Sequence, residues 1–586
     1  MFDKTKERVL RIKDDYLAEV LAGRAYLLFD GAMGTMLQAA GLEAGETPEL
    51  LTLGNPDAIR AIHAAYVAAG SQVITTNTFG ANTRKLGSVE AVSEVFTAAV
   101  RCARETGASY VAADIGPTGS LLKPMGTMTF DEAYDLFTEE VVAASAAGAD
   151  IILIETMADL LEMKAAVLAA KENCDLPIFA TMTFGEDGRT FLGTSPQVAA
   201  LTLSALGVQV LGVNCSLGPQ ELIPIVEALC EASTCPVMVQ ANAGLPKIVA
   251  GQTVFDITPL EYGAAVTTML DGGVSVVGGC CGTNPLYIEE LARCIKGRRP
   301  TSRVFLSALS VTSSQNAVVL SKDFPAIAVV GERINPTGKK RLQEALRTGN
   351  YDYVIAEAIN QTEAGADVLD VNVGLPEIDE TATLVRLVEL LAATTPLPLQ
   401  IDSSDPAAIE AAVRCYAGKP LINSVNGKAK SMHEVLPLAA HYGCAVVGLT
   451  LDEGGIPATA DERFAIAEKI VAEAGRYGIS AMDVVIDCLT MSASTNQAEV
   501  LEILRCIGMV KKRLGCKTML GVSNVSFGLP QRELVNATFL ASALGVGLDI
   551  PILNPLAARY RDVVSAFRVL NAQDDHAESF IALQNQ

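Results

Sequence analysis

The sequence predicts an α/β protein made of two (β/α)8 barrels in tandem. The chain has 586 residues, more than one hydrophobic core usually serves, so two domains of roughly 250 to 300 residues are expected. Half of the residues are hydrophobic, 48 are glycine and only 5% are aromatic, a composition typical of α/β proteins with many tight turns. A helix-to-strand unit also recurs along the chain. The predicted boundaries are 1–300 for the first barrel, 301–325 for a linker and 326–586 for the second barrel.

The recurring unit is a helix that ends at glycine, followed by a short β-branched run that stops at a polar residue. Glycine suits the left-handed position just past a helix, and a short apolar run suits a parallel strand that is buried on both faces. Five segments show the unit most clearly: AAGSQVITTN (68–77), AAGADIILIE (146–155), ALGVQVLGVNC (205–215), DGGVSVVGGCC (271–281) and EAGADVLDVN (363–372). Each of these segments therefore predicts one step from helix to strand.

Eight strands are predicted in each half of the chain. The first half adds YLLFD (26–30), YVAADIGP (110–117), IFATMTF (178–184) and VMVQANAG (237–244). After a linker that contains SALSVTSSQ, the second half carries AIAVVGERINP, VLDVNVG, LPLQIDSS, LINSVNG, AVVGLTLD, VVIDCLT, KTMLGVSN and LDIPILNP. A doubly wound open sheet has the same local pattern. Closed barrels are favoured because nearly every strand ends in a polar residue, and in a barrel those ends converge on one site.

Charge and hydropathy argue against nucleic acid and membranes as partners. The chain has 44 basic and 67 acidic residues, a formal net charge of −23, and KGRRP (296–300) is its one notable basic cluster. No apolar run reaches the roughly 20 residues that span a bilayer, and the first residues predict a charged helix rather than a signal peptide. We therefore expect a cytoplasmic protein. In that reducing compartment, the interesting members of its 13 cysteines should be reactive thiols or metal ligands.

Three cysteines lie at the ends of predicted strands: Cys215 in GVNCS, and Cys280 and Cys281 in GGCCG. If these are strands six and eight of one barrel, the three sulfurs meet at the same rim. Three thiolates can hold zinc tetrahedrally with one position open, as in catalytic zinc sites. Singly, each cysteine is more simply explained as a small core residue, but their joint position beside glycines favours a metal site. An open position suits alkyl transfer to a substrate thiol, because the metal keeps a bound thiol deprotonated.

Ordered motifs across the first half resemble the zinc-dependent homocysteine methyltransferase family. The motifs are DGAMGTML (30–37), TTNTFGAN (75–82), IGPTG (115–119), IETM (154–157), GVNC (212–215) and GGCCG (278–282). The resemblance implies that Cys215, Cys280 and Cys281 bind Zn²⁺. It also implies that the sulfur of homocysteine takes the open position.

The same resemblance implies that Asp30 and Glu155, at the ends of strands one and four, hold the amino group of homocysteine. Two carboxylates suit an ammonium group, although Asp30 could instead be a turn residue before Gly31. Asn214 is a further candidate for homocysteine binding. Its alternative role is a hydrogen bond within the rim.

The second half carries acids and amides, and no cysteine, at its predicted strand ends. These residues are Glu332, Asn335, Asp370, Asn372, Asp402, Asn423, Asn426, Asp487 and Asn524. Such a rim suits a planar heterocycle rich in N–H donors, for example a pterin, because a carboxylate can accept two parallel N–H bonds. For some of them a turn role is the alternative, as for Asn335 before Pro336.

Motifs of the second half resemble the pterin-binding barrels, which include dihydropteroate synthases and the methyltransferases that act between methyltetrahydrofolate and corrinoid. The motifs are GERINPTG (331–338), DVNVG (370–374), QIDSS (400–404), NSVNG (423–427) and GVSNVSFGLPQR (521–532). SNVSFGLP indicates the methyl-transfer branch. The resemblance implies that Asp402, Asn423, Asp487 and Asn524 surround the pterin ring, and Glu332 and Asn335 complete the predicted folate-binding set.

Asn524 and Asp487 are the predicted catalytic residues of the second barrel. Asn524 is expected to contact N5, the nitrogen that carries the methyl group. N5 must gain positive charge before the methyl group leaves, so a hydrogen bond to the protonated form would stabilise the transition state. Arg532 is expected to anchor the loop or to meet the folate carboxylates, with a position on the helix surface as the alternative.

The order of the two halves resembles the front of the cobalamin-dependent methionine synthase family. In that family, cobalamin takes a methyl group from 5-methyltetrahydrofolate and gives it to homocysteine, which yields methionine and tetrahydrofolate. The family's Asp-x-His-x-x-Gly cobalamin motif is not matched, since DDHAES (574–579) lacks the final glycine. We therefore expect methylcobalamin to be supplied by a cobalamin-binding domain or a separate corrinoid protein outside this chain.

Three other functions remain open from the sequence. A cobalamin-independent methyltransferase would leave the second barrel without a role, and a corrinoid methyltransferase of the carbon-fixation type would explain only the second barrel. A non-catalytic scaffold would bind its ligands without turnover. Single-turnover methyl transfer from free methylcobalamin would distinguish an enzyme from such a scaffold.

Overall fold

A computed structural model describes residues 8–42, 46–245, 247–249, 252–305, 307–322 and 326–585. Residues 1–7 of the predicted charged N-terminal helix lie outside this set. The chain divides into two compact units, Met1–Phe305 and Leu306–Gln586. Each unit holds eight parallel strands surrounded by helices, which confirms the predicted tandem of (β/α)8 barrels.

The parallel strands of the first barrel follow the order β1-β10-β7-β6-β5-β4-β3-β2. Its strands are β1 (Leu27–Leu28), β2 (Val73–Thr75), β3 (Tyr110–Ile115), β4 (Ile151–Met157), β5 (Ile178–Met182), β6 (Val210–Asn214), β7 (Val237–Ala241) and β10 (Val274–Gly279), with a separate antiparallel pair β8 (Lys247–Val249) and β9 (Gln252–Val254). Its helices are α1 (Asp15–Leu21), α2 (Gly34–Ala39), α3 (Leu51–Gly54), α4 (Pro56–Ala68), α5 (Thr83–Leu86), α6 (Val89–Arg104), α7 (Phe130–Ala147), α8 (Leu160–Asn173), α9 (Pro196–Leu206), α10 (Pro219–Ala232), α11 (Pro259–Asp271) and α12 (Pro285–Ile295).

The helix ends of the first barrel show why the sequence pattern works. Helix α7 begins at a capping box, in which Thr129 and Glu132 satisfy each other's backbone N–H groups. It ends at Gly148, with φ 89°, and α9 ends at Gly207, with φ 82°. These left-handed positions favour glycine. The prediction that a helix ends at glycine before the next strand is therefore confirmed at Gly148 and Gly207.

Contacts between β1 and β2 close the first barrel. The Gln72 N–H donates to the Leu28 carbonyl oxygen at 2.9 Å. The Asp30 carboxylate accepts the Thr75 N–H at 2.9 Å and the Thr75 hydroxyl at 2.7 Å. Asp30 thus joins the ends of these two strands.

The strands of the second barrel form a closed ring in the order β13-β14-β15-β16-β17-β18-β19-β20. They are β13 (Val330–Ile334), β14 (Val368–Asn372), β15 (Leu399–Asp402), β16 (Leu421–Asn426), β17 (Ala445–Leu449), β18 (Val484–Asp487), β19 (Lys517–Gly521) and β20 (Ile550–Leu553). The helices are α13 (Lys340–Thr348), α14 (Tyr351–Glu363), α15 (Glu380–Thr394), α16 (Pro406–Arg414), α17 (Ala429–Tyr442), α18 (Ala460–Arg476), α19 (Gln497–Met509), α20 (Arg532–Val546), α21 (Ala558–Leu570) and α22 (Glu578–Gln584).

Within the predicted linker 301–325, the structure shows an antiparallel hairpin of β11 (Ala308–Thr312) and β12 (Ala317–Ser321). Residues 306 and 323–325 lie outside the described residues. Leu309, Val311 and Leu320 of the hairpin belong to the hydrophobic cluster of the second barrel. The hairpin is therefore part of that barrel's core, and the serine-rich composition of the segment did not reveal this.

Inner and outer residues alternate along the strands of the first barrel, and this alternation positions the candidate site. The inner apolar cluster includes Tyr110 and Ala112 of β3 and Ile151 and Leu153 of β4. Side chains two residues apart on a strand point to the same face. Toward the carboxyl ends of the strands, the inward-facing positions are therefore taken by polar residues. Within the described ranges, no helix combines the length and apolar character needed to cross a membrane.

Candidate functional site

Cys215, Cys280 and Cys281 meet at the carboxyl-terminal rim of the first barrel. Cys215 follows β6 and the other two follow β10, and their sulfur atoms all lie within 4.8 Å of one another. The Sγ atoms of Cys215 and Cys281 are 3.9 Å apart. The predicted cysteine constellation is thus brought together by the fold.

The spacing of the sulfurs fits a tetrahedral metal site. Zn–S bonds of about 2.3 Å place two sulfurs of a tetrahedron about 3.8 Å apart. The 3.9 Å between Cys215 and Cys281 agrees with that edge. Three soft sulfur donors suit zinc better than magnesium or manganese, and they leave one of four positions for another ligand.

The backbone around the cysteines takes conformations that the sequence pattern suggested. Gly282 has φ +83°, and a Cβ atom there would lie 2.3 Å from the ring of Phe255, so glycine is required at this position. Cys215 itself has φ 61° and Ser216 has φ 59°. Such left-handed conformations are costly for residues other than glycine and cluster at functional sites.

Mutual hydrogen bonding makes the three cysteines unequal. Cys215 accepts hydrogen bonds from Cys280 and Cys281, which lowers its pKa. The same interaction with Cys215 raises the pKa of Cys280 and of Cys281.

Asp30 and Glu155 lie near this cluster, as predicted. Burial raises the pKa of Asp30 to about 7. Burial, followed by the negative charge of Cys215 and of Asp30, raises the pKa of Glu155 to about 8. The two carboxyl groups are close enough to repel each other, so a cation between them would be stabilised.

Asn214 is fully buried beneath the cysteines. Its Oδ1 accepts the Thr156 N–H and the Thr181 hydroxyl, each at 2.8 Å. Its Nδ2 donates to the Thr156 hydroxyl oxygen at 2.7 Å and faces the Cys280 sulfur at 4.0 Å. These bonds give Asn214 a place within the rim and orient it toward one of the cysteines.

Asp402 and Asn335 lie together on the rim of the second barrel. The Asn335 Nδ2 donates to the Asp402 Oδ2 at 3.5 Å. Burial raises the pKa of Asp402 to about 6. Asn423 pairs with Asp402 in the β15–β16 register, so three of the predicted folate-binding residues are neighbours.

Asp370 lies behind Asp402 and is more deeply buried. It accepts a hydrogen bond from Gln400 Nε2 at 2.7 Å. Burial and the nearby Asp402 raise its pKa. A negative charge on Asp402 therefore disfavours ionisation of Asp370.

Asp487 ends β18 and has a pKa raised to about 7 by burial. Its Oδ1 accepts the Leu489 N–H at 2.7 Å. Fully buried Arg463 of α18 donates to the carbonyl oxygens of Cys488 and Leu489 at 2.6 and 2.8 Å, and to Glu499 at 3.0 Å. Arg463 thus fixes the loop that orients Asp487.

Asn524 lies exposed on the single-turn helix Val522–Ser526, directly after β19. Arg532 donates to the Ser523 carbonyl oxygen and to the Ser526 hydroxyl, both at 3.0 Å. The Ser523 hydroxyl donates to Glu332, with both carboxylate oxygens at 3.2 Å. These contacts agree with the expectation that Arg532 anchors the loop that carries Asn524.

Comparison with known proteins assigns both barrels. Residues 27–295 match the family described as homocysteine S-methyltransferase, and residues 331–554 match the family described as pterin binding enzyme. The chain joins a homocysteine S-methyltransferase domain to a pterin-binding domain. The two domains appear in the predicted order, and the cysteine rim belongs to the homocysteine S-methyltransferase domain.

Relatives with both domains are called methionine synthase. The protein of that name from Mycobacterium tuberculosis is 34% identical over 577 residues, which is 92% of this chain and 48% of the relative. Its Mycobacterium leprae counterpart is 32% identical over 581 residues, with the same coverage. The chain thus spans about half the length of the curated relatives it matches.

Solved structures resemble each domain separately. The metallated homocysteine methyltransferase MmuM from Escherichia coli is 22% identical, with a TM-score of 0.41, over 48% of this chain and 99% of that protein. The dihydropteroate synthase from Xanthomonas albilineans with 7,8-dihydropteroate is 20% identical, with a TM-score of 0.35, over 45% of this chain and 98% of that protein.

Sequence reasoning missed several residues that shape the two rims. In the homocysteine S-methyltransferase domain it missed Asp114, a buried acid at the end of β3. In the pterin-binding domain it missed Gln400, Ser523 and Arg463. Asp114 could have been found from the sequence, because, like Glu155, it is a polar residue at the end of an apolar strand. Arg463 offered no such signal, because an arginine within a charged helix usually faces solvent.

Proposed function

We propose that the chain binds homocysteine in its first barrel and 5-methyltetrahydrofolate in its second, as the substrate-binding half of a cobalamin-dependent methionine synthase. The overall reaction moves a methyl group from 5-methyltetrahydrofolate by way of cobalamin to homocysteine, giving methionine and tetrahydrofolate. The convergence of three cysteine sulfurs at the rim of a homocysteine S-methyltransferase domain carries this proposal. The pterin-binding domain that follows, and the shared name of the relatives, support it.

Cys215, Cys280 and Cys281 are the proposed zinc ligands. Their sulfur type and spacing fit the ion. Bound zinc would lower the pKa of a substrate thiol and so supply a nucleophilic sulfur at neutral pH. The chain's own contribution is to hold the three sulfurs in place within 4.8 Å of one another.

Asp30 and Glu155 are the proposed partners of the homocysteine ammonium group. Both are buried acids with raised pKa values, so a bound cation would stabilise their ionised forms. Asn214 is proposed to act on homocysteine through the cluster, since its amide faces the sulfur of Cys280. Recognition at the ammonium and at the thiol together would select an amino acid with a thiol side chain.

Asp402, Asn423 and Asp487 are proposed to accept and donate hydrogen bonds at the edge of the pterin ring, with Glu332 and Asn335 beside them. Carboxylates on a partly desolvated rim suit the N–H groups of a pterin. Asn524 is proposed to hydrogen-bond N5 as that nitrogen gains its proton, which favours departure of the methyl group. Arg532 holds the turn that carries Asn524.

Cobalamin is proposed to come from a cobalamin-binding domain or a separate corrinoid protein. His576 of the DDHAES segment is 84% exposed and lies 3.7 Å from Asp575. It lies between α21 and α22, and is not one of the strand-end residues of either barrel. We therefore assign it no role as a corrinoid ligand.

Metal analysis of purified protein tests the proposal. We expect one zinc per chain in the wild type and loss of zinc on replacing Cys215, Cys280 or Cys281 by alanine, together with loss of homocysteine methylation from added methylcobalamin. Cys294→Ala is the matched control, because Cys294 lies on α12 away from the cluster; it should keep both. A triple alanine variant that retained stoichiometric zinc would refute the assignment.

A further inference from the structure

Asp114 is a third buried carboxyl group on the rim of the first barrel. It lies on β3, where Tyr110 and Ala112 face the inner apolar cluster, and it pairs in register with Leu153 of the same cluster. Paired residues of neighbouring parallel strands point to the same face, so the Asp114 side chain faces the barrel interior. Glu155, two residues beyond Leu153, shares that face.

The hydrogen bonds of the three acids differ. Both carboxylate oxygens of Asp30 already accept hydrogen bonds from Thr75. Asp114 is 6% exposed, and its Oδ1 has no hydrogen-bond partner within the described ranges. Glu155 likewise accepts no hydrogen bond there. Asp114 and Glu155 are therefore the acids with acceptor capacity to spare.

A second polar group faces the same interior without a partner. Gln240 lies on β7, two residues beyond Met238 of the inner cluster, and is 4% exposed. Its Oε1 is also unpartnered within the described part of the chain. Buried polar atoms are nearly always hydrogen-bonded in native proteins, so two unpartnered atoms that face the same barrel interior favour a polar ligand there.

The electrostatics of Asp114 indicate the charge of that ligand. Burial, then the nearby Glu155 and Asp30, raise its pKa well above the usual range for an aspartate. An uncompensated carboxylate in such a place is costly, and a bound cation offsets the cost. Asp114 lies on β3, Glu155 lies on β4 and Asp30 follows β1, whereas the cysteines follow β6 and β10. A ligand with an ammonium group and a thiol could reach both sets.

We propose that Asp114 is a specificity-determining residue that accepts a hydrogen bond from the ammonium group of the thiol-bearing amino-acid substrate, beside Glu155. This inference rests on the proposed function of the first barrel. On this view the main role of Asp30 is to join β1 to β2, because both of its carboxylate oxygens already accept hydrogen bonds from Thr75. Selection for an α-amino group then depends chiefly on Asp114 and Glu155, and Asp30 contributes as a nearby charge.

Calorimetric binding to the zinc-loaded chain tests this role with two ligands, homocysteine and 4-mercaptobutyrate, which lacks the amino group. Asp114→Asn keeps the shape of the side chain and removes its charge. We expect it to weaken homocysteine binding by about 10-fold or more, since charge-assisted hydrogen bonds are the strong ones. Binding of 4-mercaptobutyrate should stay close to that of the wild type.

Glu162→Gln is the matched control. Glu162 is 5% exposed and also has a pKa raised by burial, but it lies on α8, outside the ring of strands, and accepts hydrogen bonds from Thr118. It should leave the preference for homocysteine over 4-mercaptobutyrate unchanged. A loss of that preference in Glu162→Gln would show that removing any buried acid disturbs the site, and would overturn the inference.

The remaining outcomes separate the inference from the proposed function. A wild type that binds neither zinc nor homocysteine would refute the proposed function itself. A wild type that binds both, with Asp114→Asn unchanged or equally weakened toward both ligands, would refute only the role of Asp114. Asp114→Ser is measured in parallel with the same expectation. If neither variant folds with its full complement of zinc, Asp114 is a structural residue and the inference is wrong.

Discussion

Both rims contain buried carboxyl groups, but the side chains and backbone groups around these carboxyl groups differ between the two barrels. In the first barrel, Glu155 lies near Cys215 and Asp30, and burial raises its pKa to about 8. In the second barrel, Asp402 lies beside the amide of Asn335 and Asp487 accepts the Leu489 N–H, and burial raises their pKa values to about 6 and about 7. Raised pKa values in a cleft are typical of functional sites. Each set therefore suits the hydrogen-bond donors of the ligand proposed for its barrel.

Neutralising Glu155 should separate amino-acid recognition from metal binding. Glu155→Gln removes a charge next to the proposed ammonium site while leaving all three sulfurs in place. We expect the Kd for homocysteine to rise by about 10-fold or more, with an unchanged zinc content. Calorimetry and metal analysis of the same preparation measure both. Asp30→Asn should also weaken homocysteine binding and keep zinc; equal loss of metal in either variant would make the residue structural.

Folate binding should weaken as the pH falls through neutrality. Asp487 must be ionised to accept N–H groups of the pterin fully, and its pKa is about 7. At pH 6 only about a tenth of such a group is ionised, so the Kd for 5-methyltetrahydrofolate should rise by about 10-fold between pH 8 and pH 6. Asp402, with a pKa of about 6, should extend the loss below pH 6.

Asp487→Asn is the variant that checks this assignment. It should bind folate weakly at pH 8 and show a flatter pH dependence, because the titrating group is gone. Kd values measured between pH 5.5 and 8.5 decide the question. A wild-type Kd that is constant over this range, or that improves at low pH, would remove Asp487 from the binding site.

At the scale of elements, the hairpin β11–β12 is not one of the eight strands of the second barrel, but its apolar side chains belong to that barrel's hydrophobic cluster. The buried Lys517 amine donates to the Ser321 carbonyl oxygen at 2.6 Å, and the Lys419 amine donates to the Ser310 hydroxyl at 3.2 Å. Asp483 pairs with Lys419 at 2.6 Å. These bonds satisfy two buried lysines, so the hairpin and the barrel depend on each other.

Shortening a core side chain of the hairpin should therefore loosen the second barrel. Leu320 is 3% exposed and its neighbour Val319 is 37% exposed, on opposite faces of β12. Leu320→Ala should lower the free energy of opening by about 2–5 kcal/mol, whereas Val319→Ala should change it by about 0.5 kcal/mol or less. Hydrogen exchange of strands β13 to β20 measures both. If Leu320→Ala and Val319→Ala lowered the free energy of opening equally, the hairpin would not pack on the barrel through the face that carries Leu320.

The sequence was sufficient for the sixteen barrel strands because parallel strands are nearly continuous apolar runs, and these runs end at polar residues. The cysteine site was equally predictable, since three like ligands at strand ends needed only the closed ring to bring them together. The hairpin was missed because its short alternating strands are serine-rich and resemble a linker. Arg463 was missed because its burial depends on carbonyl groups 25 and 26 residues away, at Cys488 and Leu489.

Over the whole molecule, each barrel has its own hydrophobic cluster and its own rim of strand-end residues. The cysteine cluster lies in the unit Met1–Phe305, and the acids and amides proposed to bind folate lie in Leu306–Gln586. Each residue proposed for either rim belongs to the unit that carries that rim. The two methyl transfers should therefore be chemically separable, even though one chain carries both sites.

Two variants, each assayed in both reactions, test this separation. Asn524→Ala should slow methyl transfer from 5-methyltetrahydrofolate to added cob(I)alamin by on the order of 100-fold, because it removes a hydrogen bond that strengthens as N5 becomes protonated. It should leave methyl transfer from methylcobalamin to homocysteine unchanged. Cys280→Ala should abolish the homocysteine reaction and spare the folate reaction. If, in folded protein, Cys280→Ala crippled folate demethylation or Asn524→Ala crippled homocysteine methylation, the two rims would have to act as one site.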